Sequence, residues 1–177
     1  MKGKRNHRGI TLVETAATST VLAVVLAAAA PMYQDVLVRR SMDGTATQLA
    51  IDLQYIRSEA VARNHALRIS FQKTAALSCY VIHTGSSGDC SCTGNAVAHC
   101  TGAAQEIKTV QLPANAQVQL SSNVNSMLFH PVRGTVSPAG TLRLIGPHGV
   151  EIRHVVNMMG RTRSCSPQGS VKGYPVC

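Results

Sequence analysis

A short basic leader, MKGKRNHRG, runs directly into an apolar segment that extends from 10 to about 33. About 20 consecutive apolar residues cross the hydrocarbon core of a bilayer as a helix, and this stretch supplies that number. Positive charge before such a segment holds its first end in the cytoplasm, so the remainder is sent outward. No second stretch is long and apolar enough to cross, which argues against a polytopic membrane protein. An ordinary secretory signal carries a shorter apolar region followed by a small-residue cleavage site, and the run Ala27, Ala28, Ala29, Ala30 offers such a site. Against that reading stands Glu14, because an ionisable group inside a crossing segment is costly in lipid and is usually paired and functional.

The register of the leader is specific. Gly9-Ile10-Thr11-Leu12-Val13-Glu14 resembles the processing motif of type IV pilins and type II secretion pseudopilins. In that family a prepilin peptidase cuts after the glycine, here Gly9, and methylates the new amino terminus, here Ile10. The family's glutamate is fifth after the cut, where Glu14 stands. Ile10 replaces the usual phenylalanine, and Pro31 falls where pilins commonly carry a helix-disrupting proline. The resemblance implies a removable leader (1–9), a membrane-spanning assembly half of a helix (10–34), and insertion in the bacterial inner membrane with the C-terminal domain in the periplasm. It also implies association with major and minor pilin subunits, in an extracellular pilus or a periplasmic pseudopilus. Cleavage leaves a cationic amine at the start of the helix, and Glu14 of one subunit can neutralise the amine of the next, an attraction that burial among helices strengthens. The alternative is that Glu14 snorkels to the membrane interface.

Beyond Pro31 the apolar period remains helical. Val36, Leu37, Leu49, Leu53, Ile56, Ala60 and Val61 recur at spacings of three and four, while Asp52, Arg57 and Arg63 lie off that stripe. Asn64 and His65 end the pattern. A helix from 11 to 64 measures roughly 80 Å, with Pro31 and Gly44 as points of bending. Its second half (35–65) is amphipathic and is expected to pack on a globular domain (66–177). In that domain the period changes to two, with candidate strands at 67–72, 79–84, 107–112, 117–121, 127–131, 141–145 and 150–156, separated by Gly, Pro, Ser and Asn. One long helix followed by many short strands gives an α+β fold with an antiparallel sheet covered by the helix. The segment 85–102, rich in Gly, Ser and Cys, reads as a loop.

Two further segments sharpen the resemblance. Leu49-Ala50-Ile51-Asp52-Leu53-Gln54-Tyr55-Ile56-Arg57-Ser58-Glu59-Ala60 resembles the helix of the GspH/FimT group of minor pilins, which typically reads L-x-x-A-R-S-E-A, with Ile56 in place of the usual Ala. The Gly-Arg-x-Arg segment near the end of that group is matched by Gly160-Arg161-Thr162-Arg163.

All six cysteines follow the crossing segment. Export places them in an oxidising compartment, so an even count reads as up to three disulfides. Cys165 and Cys177 enclose a short tail with Pro167, Gly169, Gly173 and Pro175, and are expected to pair. Cys79, Cys90, Cys92 and Cys100 allow three pairings that the sequence leaves open. The competing reading is a zinc site from Cys90, Cys92, His99 and Cys100, whose residue types suit the metal but whose spacing matches no common zinc module.

Lys and Arg total 17 against 8 Asp and Glu, a formal charge of +9. The excess is polarised to the two ends: the leader holds Lys2, Lys4, Arg5 and Arg8, and from Ile107 onward there are seven basic residues against Glu151 alone. Such a balance favours an anionic partner, nucleic acid or lipid headgroups. On an extended segment Arg161 and Arg163 share one face while Thr162 points the other way. Arg153 and Arg143 are flanked by apolar residues and also face away from the core, so four guanidinium groups are expected to converge on one edge. Gly160 lets the backbone turn into this segment, and Lys172 lies in the tail. In FimT-like minor pilins the Gly-Arg-x-Arg segment is associated with binding DNA during natural transformation. The resemblance implies that role for Arg161 and Arg163, and less directly for Lys172, Arg153 and Arg143. Guanidinium groups suit phosphate oxygens, and only 3% of residues are aromatic, so contact with the DNA backbone, independent of sequence, is the expected mode. A basic face can also dock an acidic pilin neighbour or merely keep the protein soluble. Without DNA binding, the alternative role is a structural minor pseudopilin of a type II secretion pseudopilus. No nucleophile motif, carboxylate pair or nucleotide-binding loop is evident, so no enzyme, cofactor or metal is expected.

Overall fold

The computed structural model describes residues 11–92, 97–169 and 171–177, with the side chains of Pro31 and Met32 outside that set. The chain divides into two compact units, Met1–Leu37 and Val38–Cys177. A single helix, α1 (Leu12–Ala62), begins in the first and ends in the second.

In the first unit, α1 starts at a cap. The Thr11 hydroxyl accepts from the Glu14 amide at 3.3 Å, which makes Thr11-Leu12-Val13-Glu14 a capping-box sequence, with the acid in the first turn where the helix dipole favours it. The hydroxyls that interrupt the apolar run are satisfied within the helix. Thr15 donates to the Leu12 carbonyl at 2.9 Å, Thr18 to Glu14 at 3.0 Å, Ser19 to Ala16 at 3.0 Å and Thr20 to Ala16 at 2.6 Å. Such self-satisfied hydroxyls are compatible with lipid. This part of α1 is long and apolar enough to cross a membrane, and none of it is buried.

In the second unit, α1 buries Met42, Ala46, Leu49, Leu53, Ile56 and Ala60. Their spacing of 4, 3, 4, 3, 4 keeps one face against the core. The expected stripe is corrected at both ends: Val36 is 46% exposed, Leu37 41% and Val61 46%. Within the second unit the buried stripe begins at Met42, and Val61 is rotated about 100° from Ala60. A Schellman motif closes the helix: Asn64 has φ 48°, the His65 amide reaches the Ala60 carbonyl at 3.1 Å and the Asn64 amide the Val61 carbonyl at 3.2 Å.

Among the described residues eleven strands follow: β1 (Leu67–Lys73), β2 (Leu77–His83), β3 (Cys90–Cys92), β4 (Ala98–Cys100), β5 (Glu106–Pro113), β6 (Gln119–Ser122), β7 (Ser126–Phe129), β8 (Val136–Ser137), β9 (Gly140–Ile145), β10 (Glu151–Val156) and β11 (Thr162–Cys165). They form an antiparallel five-stranded sheet in the order β5-β2-β1-β7-β8, a four-stranded sheet β11-β10-β9-β6, and the hairpin β3-β4. The helix stripe shares one core with Ile69, Tyr80, Ile82, Met127 and Phe129 of the first sheet and Leu120, Leu142, Leu144, Ile152 and Val156 of the second.

The strands β8 and β11 lie outside the candidate strands, and two further features differ from expectation. The segment 85–102 is not simply a loop, because β3 and β4 pair within it, Cys90 opposite Cys100. And Asp52, expected off the buried stripe, is 2% exposed. Its carboxylate accepts from the Tyr80 hydroxyl at 2.6 Å, the Lys108 ammonium at 2.7 Å and the Gln48 amide at 3.0 Å. Burial and this carboxylate raise the Tyr80 pKa well above its ordinary value. A buried charge is tolerable because each oxygen has a donor.

Candidate nucleic-acid interface

The arginines of the second sheet are placed by its register. In β10 Ile152, His154 and Val156 are buried, so Glu151, Arg153 and Val155 occupy the outer face. Arg153 pairs with Arg143 of β9 on one side and with Cys165 of β11 on the other, and Val155 pairs with Arg163. Arg143, Arg153 and Arg163 therefore share the outer face. Arg161 precedes β11 and is exposed, as is Arg163, while Thr162 between them is half-buried.

These guanidinium groups are not equivalent. Two arginines directly opposite each other repel, and Glu151 resolves the conflict by accepting from the Nε of both Arg143 and Arg153 at 2.7 Å. The hydrogen bonds from Arg143 and then Arg153 hold the Glu151 carboxyl down at about 2, and Glu151 in turn raises the Arg143 pKa. Two of the four expected cations are thus engaged. The side chains of Arg161, Arg163 and Lys172 have no ion pair or hydrogen bond among the described residues. The outer face thus carries Arg143, Arg153 and Arg163, with Arg161 just before the edge strand, and Glu151 offsets one of the two charges of Arg143 and Arg153.

The edge is held from below by the tail. Cys165 is joined to Cys177, with Cα atoms 4.9 Å apart. Ser166, fully buried, donates to the Glu151 carbonyl at 2.9 Å and accepts from the Val171 amide at 3.1 Å, while its own amide reaches Pro175 at 2.8 Å. Burial first, then the charge of Asp43 on α1, raises the Tyr174 pKa. Lys172 is exposed on this pinned tail.

Gly160 acts as a packing residue. It is buried with φ 72°, and a Cβ there would collide with the Gly134 carbonyl oxygen and lie 3.0 Å from Arg57 Nε. Arg57 Nε donates to that same carbonyl at 3.2 Å. The helix segment around Arg57 and the Gly160-Arg161-Thr162-Arg163 segment, far apart in sequence, thus meet through the loop at Gly134. That loop brings in Arg133, exposed and likewise without an ion pair among the described residues. Sequence reasoning counted Arg133 only toward net charge. Its sole local signal is the Pro131-Val132-Arg133-Gly134 turn.

The remaining cysteines form Cys79–Cys92 and Cys90–Cys100. Three of the four ligands considered for zinc are therefore engaged as disulfides, and no His/Cys/Asp/Glu group suited to a metal occurs among the described residues. Cys79–Cys92 ties the β3-β4 hairpin to β2, over the face that carries the buried Val81 and His83. Ser70 and His83 lie 2.8 Å apart, but His83 is fully buried. Its Nδ1 accepts from the Gly85 amide at 3.1 Å, so Nε2–H donates to Ser70, an arrangement that serves packing. Burial first, then the charge of Arg68, lowers the His83 pKa, partly opposed by Asp89. His154 is also buried, bonds Ser164 through Nδ1 at 2.8 Å, and has its pKa lowered chiefly by burial. Gly9 and Ile10 lie outside the described residues, and Glu14 is exposed on the first turns of α1.

Residues 45–160 match the family model described as Type II transport protein GspH. No curated protein matches the sequence significantly. Among solved structures, the type IV minor pilin FimU of Pseudomonas aeruginosa is 20% identical and aligns over 73% of this chain and 95% of its own, with a TM-score of 0.55. The minor pseudopilin EpsH of the Vibrio cholerae type 2 secretion system is 12% identical, aligns over 72% of this chain and 98% of its own, and scores 0.48. The FimU likeness supports the fold, a long N-terminal helix packed on antiparallel sheets, and the family match covers well over half of the sequence. The chain belongs to the GspH family of minor pilins and pseudopilins.

Proposed function

We propose that this protein is a minor pilin that binds DNA through its backbone, independent of sequence, for uptake in natural transformation. The observation that carries this reading is the pair Arg161 and Arg163, exposed without an acidic partner among the described residues, at the start of an edge strand braced by a disulfide. Planar guanidinium groups on a rigid strand offer paired donors to successive phosphate oxygens. Lys172 and Arg133 extend the cationic rim, while Arg143 and Arg153 contribute less because Glu151 engages their donors and offsets one of their two charges. The role is one of binding and assembly rather than catalysis.

Membership of a pilin and pseudopilin family implies association with other pilus subunits and a membrane-anchored helix. In the proposed life cycle the prepilin peptidase cuts between Gly9 and Ile10 at the inner membrane, with residues 38–177 in the periplasm, and Glu14 neutralises the amine of a neighbouring subunit on assembly. The test is DNA binding by a fragment beginning at Val38, which contains every residue of the buried core. Arg161→Ala with Arg163→Ala is expected to weaken binding to all sequences alike. Undiminished affinity would remove the site, and absence of binding at low salt would remove the DNA reading. The family model's description, a type II transport protein, favours in that event the structural role in a secretion pseudopilus.

A further inference from the structure

The hairpin between β10 and β11 ends in two methionines that are exposed among the described residues. Met158 is 69% exposed and Met159 62%. They do not sit on a loose loop. The Asn157 side-chain oxygen accepts from the Met159 amide at 3.1 Å and the Arg161 amide at 2.9 Å. The Asn157 amide reaches the Arg161 carbonyl at 3.1 Å, the Gly160 amide the Asn157 carbonyl at 2.9 Å, and the Met158 carbonyl accepts from Val136 at 2.9 Å. Beneath them Gly160 packs on Gly134 and Arg57. The adjoining loop adds Val132, 82% exposed, next to the exposed Arg133. Two adjoining, hydrogen-bonded turns thus carry exposed apolar side chains beside cations in the chain: Val132 and Arg133 on one, Met158, Met159 and Arg161 on the other.

We propose that Met158 and Met159 form an apolar wedge that enters an unstacked base step while Arg161 and Arg133 hold the flanking phosphates. This deepens the DNA-binding reading and rests on it: the charge of the tip is complementary to a polyanion, and its apolar centre matches base faces rather than phosphates. Aliphatic and thioether side chains are known wedges that part stacked bases without reading their edges, and Met adapts its shape to irregular gaps. The wedge gains most where stacking is already broken. The site therefore prefers single-stranded or locally opened DNA over continuous duplex, still without sequence preference.

The test uses the full chain in phosphatidylcholine nanodiscs and an oligonucleotide carrying 2-aminopurine, whose fluorescence rises on unstacking, presented as a single strand and as a duplex. Wild type is expected to bind the single strand more tightly and to raise the fluorescence. Met158→Ser with Met159→Ser is expected to keep the salt dependence, abolish the fluorescence rise, and weaken single-strand binding about tenfold while changing duplex binding less than about threefold. Arg161→Ala with Arg163→Ala lowers both affinities together. Binding by wild type with no change in fluorescence, or an unchanged single-strand to duplex ratio in the methionine variant, overturns the wedge and leaves the DNA reading standing. Displacement of DNA by phosphatidylglycerol vesicles from wild type but not from that variant assigns the tip to a lipid surface and also overturns the wedge. No DNA binding by wild type removes both.

Discussion

Glu151→Gln separates the free cations of the outer face from the engaged ones. Glu151 accepts from both Arg143 and Arg153 at 2.7 Å, so in the native protein these two arginines offer little to a phosphate. Glutamine keeps the shape, removes the negative charge and leaves the two guanidinium groups only a neutral amide oxygen to share, without touching the Glu151 carbonyl that Ser166 uses. Each additional phosphate contact steepens the slope of log K against log salt by about 0.9, worth about eightfold in affinity at 0.1 M relative to 1 M salt. Two new contacts steepen the slope by up to about 1.8 and raise affinity at 0.1 M by up to about 60-fold. The cost in stability is about 1–3 kcal/mol, because Glu151 is only 14% exposed and loses charge-assisted bonds to two arginines, while water screens part of the loss on the arginine side. The assay is fluorescence anisotropy with duplex DNA over a salt series on the Val38–Cys177 fragment, with thermal melting as the folding check. Weaker binding by a folded variant would refute the reasoning, since it would mean that the carboxylate orients the arginines for DNA instead of occupying them.

Other consequences concern the fold. His83 and His154 are buried and their pKa values lie below the ordinary 6.5, so near pH 6 the unfolded chain binds more protons and stability rises with pH. The fragment's melting temperature is therefore expected to fall between pH 7.5 and pH 5, continuing until the native values are reached; a flat profile over that window would count against neutral, buried histidines. Tyr80→Phe removes the 2.6 Å bond to Asp52 and is expected to cost about 1.5–3 kcal/mol in denaturant unfolding. Gly160→Ala meets the Gly134 carbonyl at φ 72° and is expected to cost at least about 1–3 kcal/mol. Gly44→Ala, in α1 with nothing within 4 Å, is expected to gain about 0.5–1 kcal/mol.

Much of this structure is legible in local patterns. The core face of α1 from Leu49 to Ala60 follows from spacing alone, and Asn64 marks the helix end because it tolerates the left-handed conformation. The period-two segments give most strands of both sheets. What escapes is what depends on distant partners. Asp52 is a charge at a position that looks solvent-facing until Tyr80 and Lys108 arrive from β2 and β5. The strands β3 and β4 are too short to show alternation and owe their place to disulfides. The four outer arginines look equivalent because Arg143, Glu151 and Arg153 become neighbours only through the β9–β10 register. Gly160 reads as a turn residue, and only the fold shows Arg57 and Gly134 packed beneath it.

The salt dependence of DNA binding by the wild-type fragment, measured on two duplexes of unrelated sequence, bears most directly on the cationic edge. With Arg161 and Arg163 as the principal contacts and Lys172 and Arg133 as auxiliaries, the expected slope lies between about −2 and −4, the same for both duplexes. A slope near zero, or a marked preference for one sequence, would contradict a site built from unpaired arginines that touch only the phosphate backbone.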